Sequence, residues 1–237
     1  MKRKSELYFE ELGDRFDEFI SDFDVRQRIR LIERLLPVSF HVNTLVEIGC
    51  GTGAISNHLK NKCLKLILTD LSHKLCRSTA IQLNGSGLCQ DACRLGLKSN
   101  SVDMLISSEV IEHVPYPLMA LSEFTRVVKP NGWVIITTPN RLWYPVLWIA
   151  QKLHIRKFEG NENWLFPNRI NKQLYAGGMV VENTDGCHLF PWQIPGAKRI
   201  LPKIDRWGGY LYPMMINYGV AARKRVSTEG ESDHARS

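Results

Sequence analysis

Short apolar runs recur along the middle of the chain, separated by stretches in which apolar residues return every three or four positions. TLVEIG (44–49), LKLILTD (64–70), GLCQD (87–91), VDMLISS (102–108) and WVIITTP (133–139) are brief for helices. They are also too continuously apolar for strands with one wet face. They read as parallel strands covered on both sides with helices between them, which predicts a doubly wound α/β sheet. MVVENTD (179–185) and MINYGVAARK (215–224) read as two strands that close it.

Helical periodicity flanks this core. Residues 6–20 and 24–36 read as two helices, the second opened by Asp24 with Gln27 three residues on as a capping pair, and stopped by Pro37. After Pro139 the regularity weakens, with helices expected over 143–154 and 167–176 and a stop at Gly177-Gly178. The chain so divides into an N-terminal helical cap (1–40), a main domain (41–225) with insertions at 141–178 and 186–213, and a tail (226–237). The tail is polar, lacks apolar anchors and is expected to be disordered.

Composition narrows this picture without redirecting it. With 237 residues, 44% apolar and 23% charged, the chain can bury one sizeable core, and a second full domain would fit tightly. The N-terminus is basic but has no apolar core behind it, so it reads as neither a secretory signal nor a membrane anchor, and a cytoplasmic protein is expected. Six cysteines without a C-x-x-C read as thiols rather than disulfides. The net charge is +7, and residues 141–237 carry 14 basic against 8 acidic side chains. That excess suits an anionic partner and equally an ordinary solvated surface.

The first strand ends in VEIGCGTG (46–53), with glycines at alternate positions where a strand should feed a helix. In an open α/β sheet such a loop lets backbone approach a ligand beyond the carboxyl ends of the strands. Gly49-x-Gly51-x-x-Ala54 also satisfies the dinucleotide fingerprint, so NAD or FAD stays open on the glycines alone. Asp70 ends the second strand, where an acid can accept both ribose hydroxyls, and Asp91-Ala92 ends the third, where a polar side chain can reach an adenine edge.

These stretches resemble the class I S-adenosylmethionine-dependent methyltransferases. VEIGCGTG is similar to their first motif, LILTDLS to the ribose motif, QDACRLGLKSNSVDMLI to the adenine motif and LSEFTRVVKPNGWVIITTPNR to the fourth helix and fifth strand, over about residues 43–141. SSEVIEHV (107–114) and TTPNR (137–141) resemble the branch containing the ubiquinone-biosynthesis O-methyltransferases, and the likeness fades after Arg141. The resemblance implies a Rossmann-like seven-stranded sheet of order 3-2-1-4-5-7-6 with strand 7 antiparallel. It also implies S-adenosylmethionine as cofactor, with Glu47, Gly49, Gly51 and Gly53 on the methionine and ribose side. Asp70 and Leu71 would hold ribose and adenine, Asp91 and Ala92 would flank adenine, and Ser108 would lie beside the methionine end.

The candidate chemistry lies just after the fourth strand. At spacings i, i+3 and i+4, Glu109, Glu112 and His113 could share one helical face at the mouth of the cleft. They could bind a divalent metal such as Mg2+, as the resemblance suggests, or His113 could act alone as general base, or Glu112 and His113 could brace the loop by hydrogen bonds, which leaves Glu109 and His113 as the candidate catalytic residues. His154 and His188 lie in the divergent region and could face the substrate but read as surface or core residues, and Arg28 or Arg30 could pair with a cofactor carboxylate but read as solvated surface.

RLWYPVLWIAQKLHIRKF (141–158) mixes aromatic and basic residues, with Trp143, Val146, Leu147, Ala150 and Leu153 on one helical face. Too short and too interrupted by Pro145 to cross a bilayer, it could cover the substrate pocket, form a homodimer contact or lie on a membrane surface. The expected partner is a small-molecule acceptor, with a hydroxyl oxygen favoured over nitrogen. RNA is disfavoured, because SSEV lacks the Asn/Asp-Pro-Pro-aromatic signature of many base-amino methyltransferases. A cofactor-binding protein without catalysis and a nicotinamide oxidoreductase are the remaining alternatives.

Overall fold

The computed structural model describes residues 21–152 and 162–226, so the helix expected over 6–20 and all but the first residue of the tail lie outside the described residues. The strands are β1 (Val42–Ile48), β2 (Cys63–Asp70), β3 (Ser86–Cys89), β4 (Val102–Ser108), β5 (Val128–Pro139), β6 (Met179–Cys187) and β7 (Asn217–Lys224). They form one sheet in the order β3-β2-β1-β4-β5-β7-β6. β1 to β5 run parallel, and β7 lies antiparallel between β5 and β6. The doubly wound expectation and its strand order hold.

Helices α1 (Asp22–Leu35), α2 (Ala54–Leu59), α3 (His73–Leu83), α4 (Pro117–Val127), α5 (Tyr144–Lys152), α6 (Pro167–Ala176) and α7 (Ala197–Ile204) connect or cover the strands. The two-residue period of the strands deals their side chains onto two cores. Val46, Ile48, Leu105, Val134, Ile136 and Val220 pack on one face with Leu121 and Phe124 of α4 and Ile170 and Leu174 of α6. Leu45, Leu68, Met104, Ile106, Ile135 and Ala221 pack on the other with Leu31, Ile32 and Leu35 of α1 and Ala80 and Leu83 of α3. This alternation of faces explains why the strands looked apolar throughout.

Two local expectations fail. Asp24 and Gln27 do not cap α1, because the helix starts two residues earlier, after Ser21. Inside the first turn, Asp24 instead pairs with Arg28 one turn on, and Gln27 reaches across to Asp205, donating to Oδ2 at 2.8 Å. Nor does Pro145 interrupt its segment. It is the second residue of α5, where its missing N–H falls among donors that have no helical partner anyway.

Candidate active site

The glycine loop follows β1 and turns over the carboxyl edge of the sheet. Gly49 and Gly53 both have left-handed backbones, with φ of +69° and +82°, which L side chains rarely adopt. A Cβ on Gly49 would also meet Val110 Cγ2 at 2.4 Å, and one on Gly53 would meet Thr79 Cγ2 at 2.5 Å. The two glycines serve different ends: Gly49 lines a cavity with Gly51, whereas Gly53 sits at the start of α2 against α3 and does not line it.

Side chains from the neighbouring strand ends complete the cavity. Glu47, 2% exposed, accepts a hydrogen bond from the Ser56 amide at 3.2 Å and one from the Ser56 hydroxyl, tying β1 to α2. Burial pushes its carboxyl up to about 8, with the Ser56 hydrogen bonds opposing. Asp70 accepts from the Gly51 amide at 3.0 Å through Oδ2 and from the Ser72 amide at 2.8 Å through Oδ1. A carboxylate has about four acceptor sites, so acceptor capacity is left over for a ligand hydroxyl. Burial raises the Asp70 pKa, and the amides of Ser72, Gly51 and Leu71 oppose that rise. Leu71, Asp91, Ala92 and Ser108 lie on the same cavity wall.

The segment after β4 departs from expectation. Glu109 to Val114 forms a turn rather than a helix, and Glu109 has φ +56°, so Glu109, Glu112 and His113 do not share a helical face. Glu109 is half-buried on the cavity wall and accepts from Thr137 Oγ1 at 3.1 Å and from Asn217 Nδ2 at 2.8 Å. Glu112 is 1% exposed and accepts from Thr138 Oγ1 at 3.0 Å, leaving its other oxygen 3.7 Å from His113 Nε2. Burial pushes both carboxyls up to about 7. His113 lines the cavity. Among the described residues no three His, Cys, Asp or Glu side chains gather to hold a metal ion. The left-handed bend at Glu109 sends its carboxyl to Thr137 and Asn217 on the cavity wall, while the Glu112 carboxyl is buried on Thr138, so the metal expected at these three residues does not fit.

The structure brings to the site one of the two arginines that the sequence offered for a cofactor carboxylate. Arg28 lies on the cavity wall instead of at the solvated surface, and its Nε is buried with no hydrogen-bond partner among the described residues. Burial is the largest single effect on its guanidinium and lowers the pKa, but Asp24, Glu109, Cys187 and Glu112, in that order, together raise it above the ordinary value. Arg30 turns elsewhere, to Gln27 Oε1 at 2.7 Å. His188, 1% exposed, stands with Nδ1 3.5 Å from Asp24 Oδ1 and stacks on Phe23 at 5.8 Å. Burial lowers its pKa. The i, i+4 spacing of Asp24 and Arg28 was the one sequence signal for this cluster.

S-adenosylmethionine, the cofactor implied by the resemblance, fits these features. The cavity offers an arginine whose Nε has no hydrogen-bond partner among the described residues for its carboxylate, a side-chain-free bend for its backbone-like end and an acid with spare acceptor capacity for its ribose.

Comparison with known proteins bears on the same residues. A family model described as a methyltransferase domain matches residues 46–136. The chain is 32% identical over 182 residues to the malonyl-[acyl-carrier protein] O-methyltransferase of a Marinomonas species, covering 70% of this chain and 67% of that one. It is 29% identical over 104 residues to the ubiquinone biosynthesis O-methyltransferase of Nitrosomonas europaea, a match that spans 41% of this chain and only 44% of that enzyme's length. Among solved structures, a SAM-dependent methyltransferase from Thermotoga maritima superposes with a TM-score of 0.69 at 19% identity, covering 93% of this chain and all of that one. N-methyltransferase NodS from Bradyrhizobium japonicum, in complex with S-adenosyl-L-homocysteine, superposes with a TM-score of 0.65 at 14% identity, covering 94% and 99%. Strand order, glycine loop and sequence likeness agree, and the chain belongs to the S-adenosylmethionine-dependent methyltransferases.

Proposed function

We propose that the protein methylates a hydroxyl oxygen of a small molecule, of phenol or quinol type, with Glu109 as the group that takes the hydroxyl proton. The observation that carries this is the Glu109 carboxyl, held on the cavity wall by Thr137 and Asn217 beside Ser108. Both of its oxygens accept hydrogen bonds and both keep acceptor capacity for a donor in the cavity. A carboxyl raised to about 7 also suits a base working near neutral pH.

S-adenosylmethionine supplies an electrophilic methyl on a sulfonium that leaves as a neutral thioether. Glu109 receives the acceptor proton as the oxygen–carbon bond forms and the carbon–sulfur pair stays on sulfur. Asp70 binds the ribose hydroxyls, Leu71, Asp91 and Ala92 border the adenine, and Gly49 and Gly51 leave room for backbone to approach the methionine end. Glu47 holds the loop to α2, Ser108 borders the methyl end, and Arg28 takes the amino-acid carboxylate. His113, steadied by Glu112, is the second group able to accept a proton there. None of these roles requires a metal.

A free carboxylate as acceptor, as the name of the Marinomonas enzyme suggests for that protein, is disfavoured here. With Asp24, Glu109 and Glu112 around Arg28 and the cofactor carboxylate taking that arginine, an anionic acceptor would be left facing acids with no cation of its own. Product chemistry separates these outcomes. Methyl-labelled cofactor is incubated with catechol, hydroquinone, 4-hydroxybenzoate, benzoate and phenethylamine. Alkali-stable label in the phenols supports the proposal, whereas alkali-labile ester from benzoate, or label only in the amine, refutes it.

The surface around α5 supports a peripheral membrane contact for a lipid-like acceptor. Leu142, Val146, Trp148 and Ile149 are each about half exposed, and Lys152 lies 5.6 Å over the Trp148 ring. Leu153 and the basic residues to 158 lie outside the described residues. No helix among the described residues is long and apolar enough to cross a membrane.

A further inference from the structure

In a doubly wound sheet the parallel strands all bring their last residues to the ligand edge. β7 runs the other way, so it brings its first residue, Asn217, to that edge, with Asn217 paired in register with Pro139 at the end of β5. Asn217 is 4% exposed and does not line the cavity. Its side-chain amide donates to Glu109 Oε2 at 2.8 Å, while the Thr137 hydroxyl of β5 donates to Oε1 at 3.1 Å and also meets Ser108 Oγ at 2.7 Å. The Glu109 main-chain amide is bonded to the Thr137 carbonyl at 2.9 Å. A left-handed glutamate is a costly conformation that persists where its surroundings fix it, and here three bonds from two other strands do so.

We propose that Asn217 is a positioning residue for methyl transfer: its amide fixes the Glu109 carboxylate so that the oxygen lone pairs left over face the proton of the acceptor. This rests on Glu109 being the proton acceptor. Two features make Asn217 suited to the task. An amide donor favours the form of Glu109 that accepts, and it carries no charge of its own to compete for the proton. Its other side faces the His188 ring, whose Nδ1 stands 3.5 Å from Asp24 Oδ1. Arg28 and Asp24 from α1, Glu112 from the same turn and the Cys187 thiol at the end of β6 also face Glu109, and none of them donates a hydrogen bond to it.

A double-mutant cycle tests the inference, with the phenol that wild-type protein methylates fastest among catechol, hydroquinone and 4-hydroxybenzoate as acceptor. Asn217→Ala is expected to lower kcat by about tenfold or more, with S-adenosylhomocysteine affinity unchanged within about twofold. The isosteric Asn217→Asp keeps the shape but sets a second carboxylate against Glu109, and is expected to be slower still. In a Glu109→Gln background neither change should slow turnover further, because the group they act through is already gone.

Equal slowing in both backgrounds would make Asn217 a purely structural residue and overturn the inference. Full-rate Asn217 variants beside a slow Glu109→Gln would also overturn it, while leaving the role of Glu109 standing. Full-rate Glu109→Gln, or no phenol methylated by wild-type protein, removes the proton-acceptor reading and this inference with it. Thermal melting of each variant separates loss of turnover from loss of fold.

Discussion

Replacing Asp70 by alanine is expected to weaken S-adenosylhomocysteine binding by at least about 1.5 kcal/mol, roughly tenfold in Kd. The side chain has two jobs in the structure, and the magnitude follows from separating them. Its bonds to the Gly51 and Ser72 amides hold the glycine loop to the end of β2. Losing them leaves two backbone donors short of a partner, about 1–3 kcal/mol of stability each where water cannot replace it. Its spare acceptor sites are the ones assigned to the ribose, where charge-assisted bonds are worth about 1.5–3 kcal/mol each before the loss of competing water is counted. Calorimetry with S-adenosylhomocysteine and its 2′-deoxy analogue distinguishes the jobs. Wild-type protein should discriminate against the deoxy compound and Asp70→Ala should not. If both proteins lose the same factor on removal of the hydroxyl, Asp70 acts only on the loop and the ribose assignment is wrong.

Glu109→Gln is expected to lower kcat by about 10²-fold or more and His113→Ala by less, each with cofactor affinity little changed; wild-type turnover in both would leave those side chains only a bracing role. Glu47 sets a pH dependence of stability. Its carboxyl ionises near 4.5 when ordinary and near 8 in the fold, so the stability it contributes is complete below the lower value and is lost as pH rises through the upper one. Glu47→Gln should therefore gain on wild type by roughly 2–4 kcal/mol between about pH 5 and pH 8.5 in urea titrations, and a pH-independent difference would contradict the buried, protonated carboxyl. Trp148→Glu should reduce co-sedimentation with anionic phosphatidylglycerol vesicles at least about threefold, whereas unchanged sedimentation, or none by wild type, argues that α5 faces something else.

The sheet was legible because burial on both faces makes each strand an apolar run, and because glycines and acids at strand ends occupy fixed places beyond the sheet edge. The cavity wall formed by Gly49, Gly51, Asp70, Leu71, Asp91, Ala92 and Ser108 could be read for that reason. The turn after β4 could not. Spacing in sequence implies a common face only if the backbone stays helical, and a left-handed Glu109 breaks that assumption at the first residue. Arg28 was hidden differently, since a basic residue on an amphipathic helix looks solvated until the helix is placed over the sheet. At Gly53 the lack of a side chain also makes room for Thr79 and Leu83 of α3, a packing demand the motif did not reveal.

The placement of α1 makes the N-terminal segment part of the enzyme rather than an accessory to it. Its inner face supplies Leu31, Ile32 and Leu35 to one of the two cores, Arg28 to the cavity, and Arg34 and Gln27 to Asp185 and Asp205. A chain cut to begin at residue 41 would uncover that core and strand two acids beneath it. Removal of α1 should therefore abolish folding and cofactor binding together.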